Sequence, residues 1–245
     1  MRYPWIFTFL FLFAMEACKD SAQPWESMGE LSTETRALDS FDKIIVSNNI
    51  ELFIRQDTNL PESMTIVYGK NVLKGLLSSV KDKKLHIANS NKAKWLRNLR
   101  ITPKCTLNIH TLKGIYIHDN AKIICLDTLC AEAIQCINNS VEQQYLRVFC
   151  GQFYGNSANS GQLNLSGQGT IFSWSCEGGS SIDALSLRCD DVYIRHYTER
   201  TISVNPSKQF EAFVYGKGNV YYKNTPIYKF IKHEFGEGRV IKITP

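Results

Sequence analysis

The side chains most able to do chemistry in this sequence are eight cysteines and five histidines. The cysteines are Cys18, Cys105, Cys125, Cys130, Cys136, Cys150, Cys176 and Cys189. They form no C-x-x-C pair, which argues against a zinc site or a thioredoxin-like redox site. Cys125, Cys150 and Cys176 recur at intervals of 25 and 26 residues. We expect these three to stack as small buried residues on successive turns, rather than to form disulfides.

The histidines follow no metal or catalytic spacing such as H-E-x-x-H. His110 and His118 could meet on adjacent strands and bind a metal, or they are solvated or singly hydrogen-bonded. The sequence has no nucleophile elbow, phosphate-binding loop or dinucleotide-binding fingerprint. It therefore predicts no catalytic residue, no metal and no cofactor.

Three carboxylates are the only candidates for acid–base chemistry or calcium binding. Asp190 and Asp191 are adjacent, so on a strand they would point to opposite faces, whereas at a turn both could reach a Ca²⁺. Asp183 lies one turn earlier and could join them. Solvated corner residues are the alternative interpretation, because isolated acids are mostly exposed.

Four aromatic residues suggest a binding surface. Phe153, Trp174, Tyr193 and Tyr215 recur at intervals of 21, 19 and 22 residues. If Ile171 and Ser173, and Val192 and Ile194, point inward, Trp174 and Tyr193 point outward. The predicted ladder could stack sugar rings, whose apolar C–H surfaces match an aromatic plane. The alternative is an internal ladder, or stacking that covers the edge of a sheet.

Composition limits the class of protein more than its chemistry. The chain has 245 residues, of which 44% are hydrophobic, enough for one large folded domain or two small ones. Its net charge of +5 comes from 28 Lys and Arg against 23 Asp and Glu. The excess is scattered without a basic run, which argues against nucleic acid as a partner.

The N-terminus is typical of an exported protein. Residues 1–17 place Arg2 before the apolar stretch from Trp5 to Ala14, which is too short to span a membrane but fits a signal peptide. Cys18 follows at once, as in the lipobox of bacterial lipoproteins. We predict that Cys18 is lipidated and anchors the protein to a membrane. The alternative is an ordinary secretory signal that leaves Cys18 as a plain thiol.

A polar segment separates this anchor from the rest of the chain. Residues 18–40 show little apolar periodicity and are predicted to form a flexible tether. The predicted location is the outer membrane, at the cell surface or on the periplasmic face.

From residue 41 onward the sequence indicates short strands. One exception is 71–80, where Val72, Leu73, Leu76, Leu77 and Val80 are spaced as in a helix of two to three turns. Between 107 and 222, corners rich in Asn, Gly and Ser recur about every twenty residues, with alternating apolar residues beside them. This period predicts a β-solenoid of about five coils, because a single coil cannot bury its apolar side. A β-sandwich is the alternative.

These residues resemble a known family. The segments FDKIIVSNNIELFIRQ (41–56), NVLKGLLSSVKDKKLHI (71–87), YGKGNVYYKNTP (215–226) and FGEGRVIKI (235–243) are similar to the auto-transporter adhesin, head GIN domain family. The sequence departs from the family at Asn49 and Asn224, where glycine is usual, and Asn tolerates the same turns. The resemblance implies a right-handed parallel β-helix over 41–245, an adhesive role and no catalytic residues.

The function predicted on these grounds is a non-enzymatic cell-envelope lipoprotein that binds a glycan or a surface protein. One alternative is a polysaccharide-degrading β-helix enzyme that uses Asp183, Asp190 and Asp191. Another is a periplasmic scaffold that assembles end to end. End-to-end assembly needs uncapped ends, and the predicted helix and the C-terminal strand resemble caps. The sequence does not indicate the oligomeric state.

Overall fold

The computed structural model of the chain describes residues 28–91 and 101–243. The predicted signal peptide, Cys18 and the first part of the predicted tether lie outside the described residues. The described chain is all-β and forms a β-solenoid of about 6 turns, which confirms the predicted fold class. Its strands stack mainly in parallel register, so the β-sandwich alternative is wrong.

Short strands build the N-terminal part, and long bent strands build the rest. The N-terminal strands are β1 (Leu31–Ala37), β2 (Lys43–Ser47), β3 (Glu51–Gln56), β4 (Ser63–Gly69), β5 (Leu76–Lys81), β6 (Lys84–Asn89) and β7 (Lys104–Ile109). They are followed by β8 (Gly114–Asp119), β9 (Lys122–Cys125), β10 (Leu129–Ser140), β11 (Gln144–Ser157), β12 (Gln162–Cys176), β13 (Ser181–His196) and β14 (Ile202–Val214). The last strands are β15 (Val220–Tyr222), β16 (Lys229–Glu234) and β17 (Val240–Lys242).

The strands form two sheets around one core. Sheet 1 contains β1, β4, β7, β3 and β9, then the first halves of β10 to β14, and ends with β15 and β17. Sheet 2 contains β5, β6, β2 and β8, then the second halves of β10 to β14, and ends with β16. Each long strand bends once and so contributes to both sheets.

Stacked side chains fill the core, as alternation along each strand requires. The register of sheet 2 aligns one buried residue per coil in a single column. Its members are Ile134, Phe153, Phe172, Val192, Phe210 and Phe230. A matching column of sheet 1 runs through Leu163, Ile182, Ile202, Val220 and Val240. Coils of about 20 residues thus share a continuous apolar interior.

The chain folds back on itself at the N-terminal end. β1 pairs antiparallel with β4 over seven residues, and β5 pairs antiparallel with β6. The predicted tether is therefore wrong for 31–37, whose exposed and half-buried residues alternate as on an edge strand. The Arg36 side chain donates hydrogen bonds to Leu76 O at 2.7 Å and to Ser78 Oγ at 3.0 Å. It thereby ties the edge strand of sheet 1 to that of sheet 2.

The predicted helix at 71–80 is also wrong. Only Leu73–Gly75 form a single 3₁₀ turn, and the rest of the segment continues into β5. The apparent helical spacing combines a turn, whose Val72 and Leu73 are buried, with a strand that buries Leu76. The N-terminal cap is therefore made of antiparallel strands rather than a helix.

The cysteines do not stack as predicted. Cys125 aligns with Ile54, Cys150 with Ala131 and Gly169, and Cys176 with Ser157 and His196. The prediction fails because successive coils differ in length by a residue or more. The seven cysteines of the described residues are all free thiols, and five of them are buried. Their role in the core is that of small apolar side chains.

Two glycine pairs shape the C-terminal turns. Gly218 lies so close to the preceding coil that a Cβ there would be 2.0 Å from Arg200 O, and one at Gly238 would be 2.0 Å from Gly218 O. The Gly218 and Gly238 amides donate to Thr198 O and Gly216 O, each at 3.0 Å. The Gly-x-Gly repeats of the family signature are thus positions where two backbones touch.

Candidate functional site

Two of the four aromatic residues predicted to form an outer ladder lie in the core. Phe153 is 0% exposed and Trp174 is 2% exposed. Their rings stack with centroids 5.6 Å apart and planes 4° apart, and Trp174 Nε1 donates to Ser157 Oγ at 3.1 Å. The prediction fails because the alternation changes phase where β12 bends: Leu163 and Leu165 point inward before the bend, and Phe172 and Trp174 after it. The internal alternative is therefore correct for this pair.

Tyr193, the third predicted residue, lies on the outer side of sheet 2, as expected. It is aligned with Ser173 of the preceding coil, which in turn is aligned with Tyr154. Tyr154 is 39% exposed and Tyr193 is half-buried. A hollow of about 460 Å³ lies at these residues, and we call it the tyrosine hollow.

Serine side chains form the middle of the tyrosine hollow. The two tyrosines are separated by two coils, or about 10 Å at the usual strand spacing. Between them Ser173 contributes only a hydroxymethyl group, so the rings of Tyr154 and Tyr193 border a gap. Ser175, next to Ser173 on the same outer side, donates a hydrogen bond to Glu177 at 3.2 Å. The gap therefore combines aromatic walls with a hydroxyl-bearing centre.

One cation and one carboxylate lie at the C-terminal side of the tyrosine hollow. Arg195 is aligned with Ser175 and is exposed. Within the described residues its guanidinium makes no ion pair, because the eight ion pairs involve other side chains. Glu211 also lines the hollow, and its carboxylate accepts a hydrogen bond from Lys229 Nζ at 3.3 Å. Arg195 is thus available to a polar or anionic ligand.

Tyr215, the fourth predicted residue, belongs to a different exposed ladder. Its ring stacks on Tyr197 at 4.8 Å and on Phe235 at 5.0 Å, with planes 4° and 14° apart. The exposed fractions are 47% for Tyr197, 44% for Tyr215 and 64% for Phe235. These three rings come from successive coils at the end of sheet 2, and we call them the turn ladder.

The turn ladder and the tyrosine hollow are connected through two further rings. Phe213 lines the hollow and stacks on His233 at 4.6 Å, and His233 stacks on Phe235 at 5.9 Å. Sequence reasoning missed Tyr154, Tyr197 and Phe235. A signal existed for the last two, because each aromatic follows the final residue of a long strand or of β16, directly before a turn.

The three carboxylates considered for acid–base chemistry do not share a groove. Asp183 lines a hollow of about 260 Å³ on sheet 1, and Asp190 lines a different one of about 620 Å³ at the bend between the sheets. Asp190 accepts hydrogen bonds from Lys208 Nζ and Ser207 Oγ, both at 2.9 Å. These hydrogen bonds, from Lys208 first, hold the pKa of Asp190 below its ordinary value. An ionised, paired aspartate is a poor general acid.

Within 28–91 and 101–243 no group of three or more His, Cys, Asp or Glu side chains is arranged to hold a metal ion. His110 is bound locally through Nε2 to Leu60 O at 2.7 Å, whereas His118 lies on β8 beside Asn139. The two histidines suggested as a metal pair therefore have separate surroundings.

Burial makes most of the thiols unreactive. Desolvation raises the pKa of Cys105 and of Cys189 to about 12, and that of Cys125 and of Cys150 to about 11. The thiolate is the nucleophilic form, so these cysteines are protonated and inert near neutral pH.

The fold resembles several solved structures. A protein described as a "putative adhesin" from Bacteroides fragilis is 23% identical, with a TM-score of 0.81 over 87% of this chain and 97% of that one. A protein described as a "putative lipid binding protein" from Parabacteroides distasonis is 15% identical, with a TM-score of 0.65 over 88% and 98% of the two chains. A "putative adhesin" from Parabacteroides merdae is 18% identical, with a TM-score of 0.61 over 89% and 98%. At these identities the likeness concerns the fold.

Sequence comparison gives the family directly. No curated protein matches the chain significantly. In the described part of the chain, no helix has the length and apolar character needed to cross a membrane. The family model described as "Putative auto-transporter adhesin, head GIN domain" matches residues 40–226, which is most of the chain. The chain therefore belongs to the head GIN domain family, as its turn and glycine motifs predict.

Proposed function

We propose that this protein is a non-enzymatic adhesin of the cell envelope that binds a glycan in the tyrosine hollow. The observation that carries the proposal is the pair of tyrosine rings, Tyr154 and Tyr193, on either side of Ser173, with Arg195 beside them. A pyranose ring presents one apolar face to an aromatic plane and its hydroxyl groups to polar side chains. The hollow offers both kinds of contact.

Its position on a stacked sheet also suits adhesion. Sheet 2 repeats its outer columns coil after coil, so an extended glycan could run along it and contact successive coils. The turn ladder continues the aromatic surface beyond Phe213 and His233. Weak contacts at several coils add up to a firm attachment when the ligand is a polymer.

The proposed location follows from the predicted N-terminus. Cys18 would carry the lipid, and the residues between it and β1 would hold the solenoid away from the membrane. Protease treatment of intact cells tests the placement, with an antibody against residues 41–245 as the readout. Cleavage on intact cells supports an outward-facing adhesin. Protection until the outer membrane is broken would contradict it and favour a periplasmic role. Loss of lipid labelling in Cys18→Ala tests the anchor.

Glycan binding is tested by an array screen, followed by calorimetry with the best ligand. We expect Tyr154→Ala and Tyr193→Ala each to weaken binding about ten-fold or more, which corresponds to about 1.4 kcal/mol. Tyr145→Ala is the matched control, since Tyr145 is 41% exposed but lies on sheet 1. Unchanged affinity in both hollow variants would refute the site. Capture of a surface protein but no glycan would refute the ligand class.

A further inference from the structure

The C-terminal end of the solenoid leaves both sheets with an open edge. Within the described residues, β16 pairs only with β14, and β17 pairs only with β15. One side of each strand therefore presents backbone N–H and C=O groups to solvent. Such an edge is complementary to another β-strand and to few other structures.

Apolar side chains surround this edge. Phe230 is the last member of the core column of sheet 2, and it is 39% exposed because no coil follows it. Ile227 and Tyr228, directly before β16, are 70% and 75% exposed. Phe235, directly after it, is 64% exposed. A group of large exposed apolar residues around an open strand indicates a surface that is covered by a partner.

The asymmetry of the two ends selects the partner. At the N-terminal end the chain turns back in antiparallel strands, β1 is polar, and Arg36 ties the two sheets together. A filament would need two complementary open ends, whereas this chain has one. A single open end can be closed by the same end of a second copy, related by a two-fold axis. We propose that two copies of this chain associate through their C-terminal ends, with β16 of each pairing antiparallel with β16 of the other.

The charges of β16 favour self-association in one register. A two-fold axis perpendicular to the sheet keeps inner side chains on the inner side, so inner residues face inner residues. With His233 opposite His233 of the second copy, Lys232 of each chain lies opposite Glu234 of the other. On the outer side, Ile231 lies opposite Phe235. The register thus forms two charge pairs and two apolar pairs across the junction.

The same charges oppose other strands. Lys232 and Glu234 are aligned with Ala212 and Val214, which are buried, so they lie on the core side of the edge. They form an ion pair of 3.2 Å within one chain. Charged residues on the inner side of an edge discourage pairing with an arbitrary strand. A second copy satisfies them, so specificity arises from the charges and affinity from the apolar residues.

Charge exchange tests the proposal in the full chain. We expect light scattering after gel filtration to give the mass of two chains. Lys232→Glu places Glu opposite Glu, and Glu234→Lys places Lys opposite Lys, so each variant should weaken self-association about ten-fold or more. An equal mixture of the two variants restores both charge pairs, and it should form a heterodimer. Thermal melts of each variant check that the chains remain folded.

The control is Lys208→Glu, which reverses a charge that is paired with Asp190, away from the C-terminal end. It should leave the dimer intact. A wild-type chain that stays monomeric at about 100 µM would overturn the proposal. Dimers that persist in both single variants, or a mixture that fails to associate, would overturn the register. Species larger than a dimer would overturn the two-fold closure.

Discussion

The two ends of the solenoid use the same tie between sheets but differ in their apolar cover. At the N-terminal end Arg36 connects β1 to β5, and at the C-terminal end Glu234 accepts a hydrogen bond from the Val240 amide at 2.8 Å. Under the N-terminal strands, Met64 and Ile66 are fully buried, whereas Phe230 at the other end is 39% exposed. A charged tie thus holds two edges together, but only an added layer of chain buries the core.

The largest difference should appear when the core is truncated at each end. Phe41→Ala should lower the free energy of unfolding by about 3–5 kcal/mol, because Phe41 is 1% exposed and its removal leaves a cavity. Phe230→Ala should cost roughly half as much, since its ring is already partly in water. Urea unfolding at low micromolar concentration, where few dimers form, measures both. Equal losses would show that the C-terminal end is covered within one chain.

A second comparison tests the N-terminal tie. Arg36→Ala removes the hydrogen bonds to Leu76 O and Ser78 Oγ, and we expect a loss of about 1–3 kcal/mol. Arg55→Ala is the control, because Arg55 forms only a solvent-exposed ion pair of 3.6 Å with Asp127, worth less than about 1 kcal/mol. Hydrogen exchange should accelerate in β1 and β5 for the first variant alone. Unchanged exchange in those strands would mean that strand pairing by itself seals this end.

A pH effect should distinguish the C-terminal coils. His196 is fully buried, and its Nε2 lies 2.8 Å from Gly218 O. Burial lowers its pKa below the ordinary 6.5, so the folded state keeps it neutral while the unfolded chain is protonated as the pH falls. Stability should therefore be constant above pH 6.5 and decrease below it.

Melting between pH 7 and pH 5 measures this effect. The carboxyls whose pKa values are lowered, Asp190 and Glu234, have ordinary values of 3.8 and 4.5, so they add little in this range. His196→Gln keeps an amide donor for Gly218 O and should flatten the profile. An equally steep profile in that variant would place the titrating group elsewhere.

The sequence predicted the regular part of the fold from local signals. Alternation at Leu163 and Leu165, and small-residue corners between strands, are sufficient to identify a solenoid. It did not predict β1, because an edge strand such as Leu31–Ala37 buries no apolar column and resembles a polar linker. The helix prediction failed at Leu73–Gly75 because spacing alone does not distinguish a turn that leads into a strand.

The candidate site was harder to predict because it depends on register between coils. Tyr193 was correctly placed outside, but its neighbours are Ser173 and Tyr154, which are 20 and 39 residues away. Trp174 was misplaced because β12 changes phase at its bend, and the sequence does not mark that extra residue. Sheet position follows from composition, whereas the pairing of side chains follows from coil length.

The smallest effect concerns how the turns are made at the two ends. Asn48 and Asn49 adopt left-handed backbone angles, with φ of 66° and 57°, whereas Gly218 is required by close contact with Arg200 O. Asn tolerates the left-handed region, and glycine adopts it freely but loses more entropy on folding. Asn49→Gly should therefore change stability by less than about 0.5 kcal/mol, and Asn49→Ala should cost about 1 kcal/mol. Urea unfolding measures both variants. If Asn49→Gly were as costly as Asn49→Ala, the Asn49 side chain would stabilise the turn by contacts, and the two ends would differ in chemistry as well as in backbone geometry.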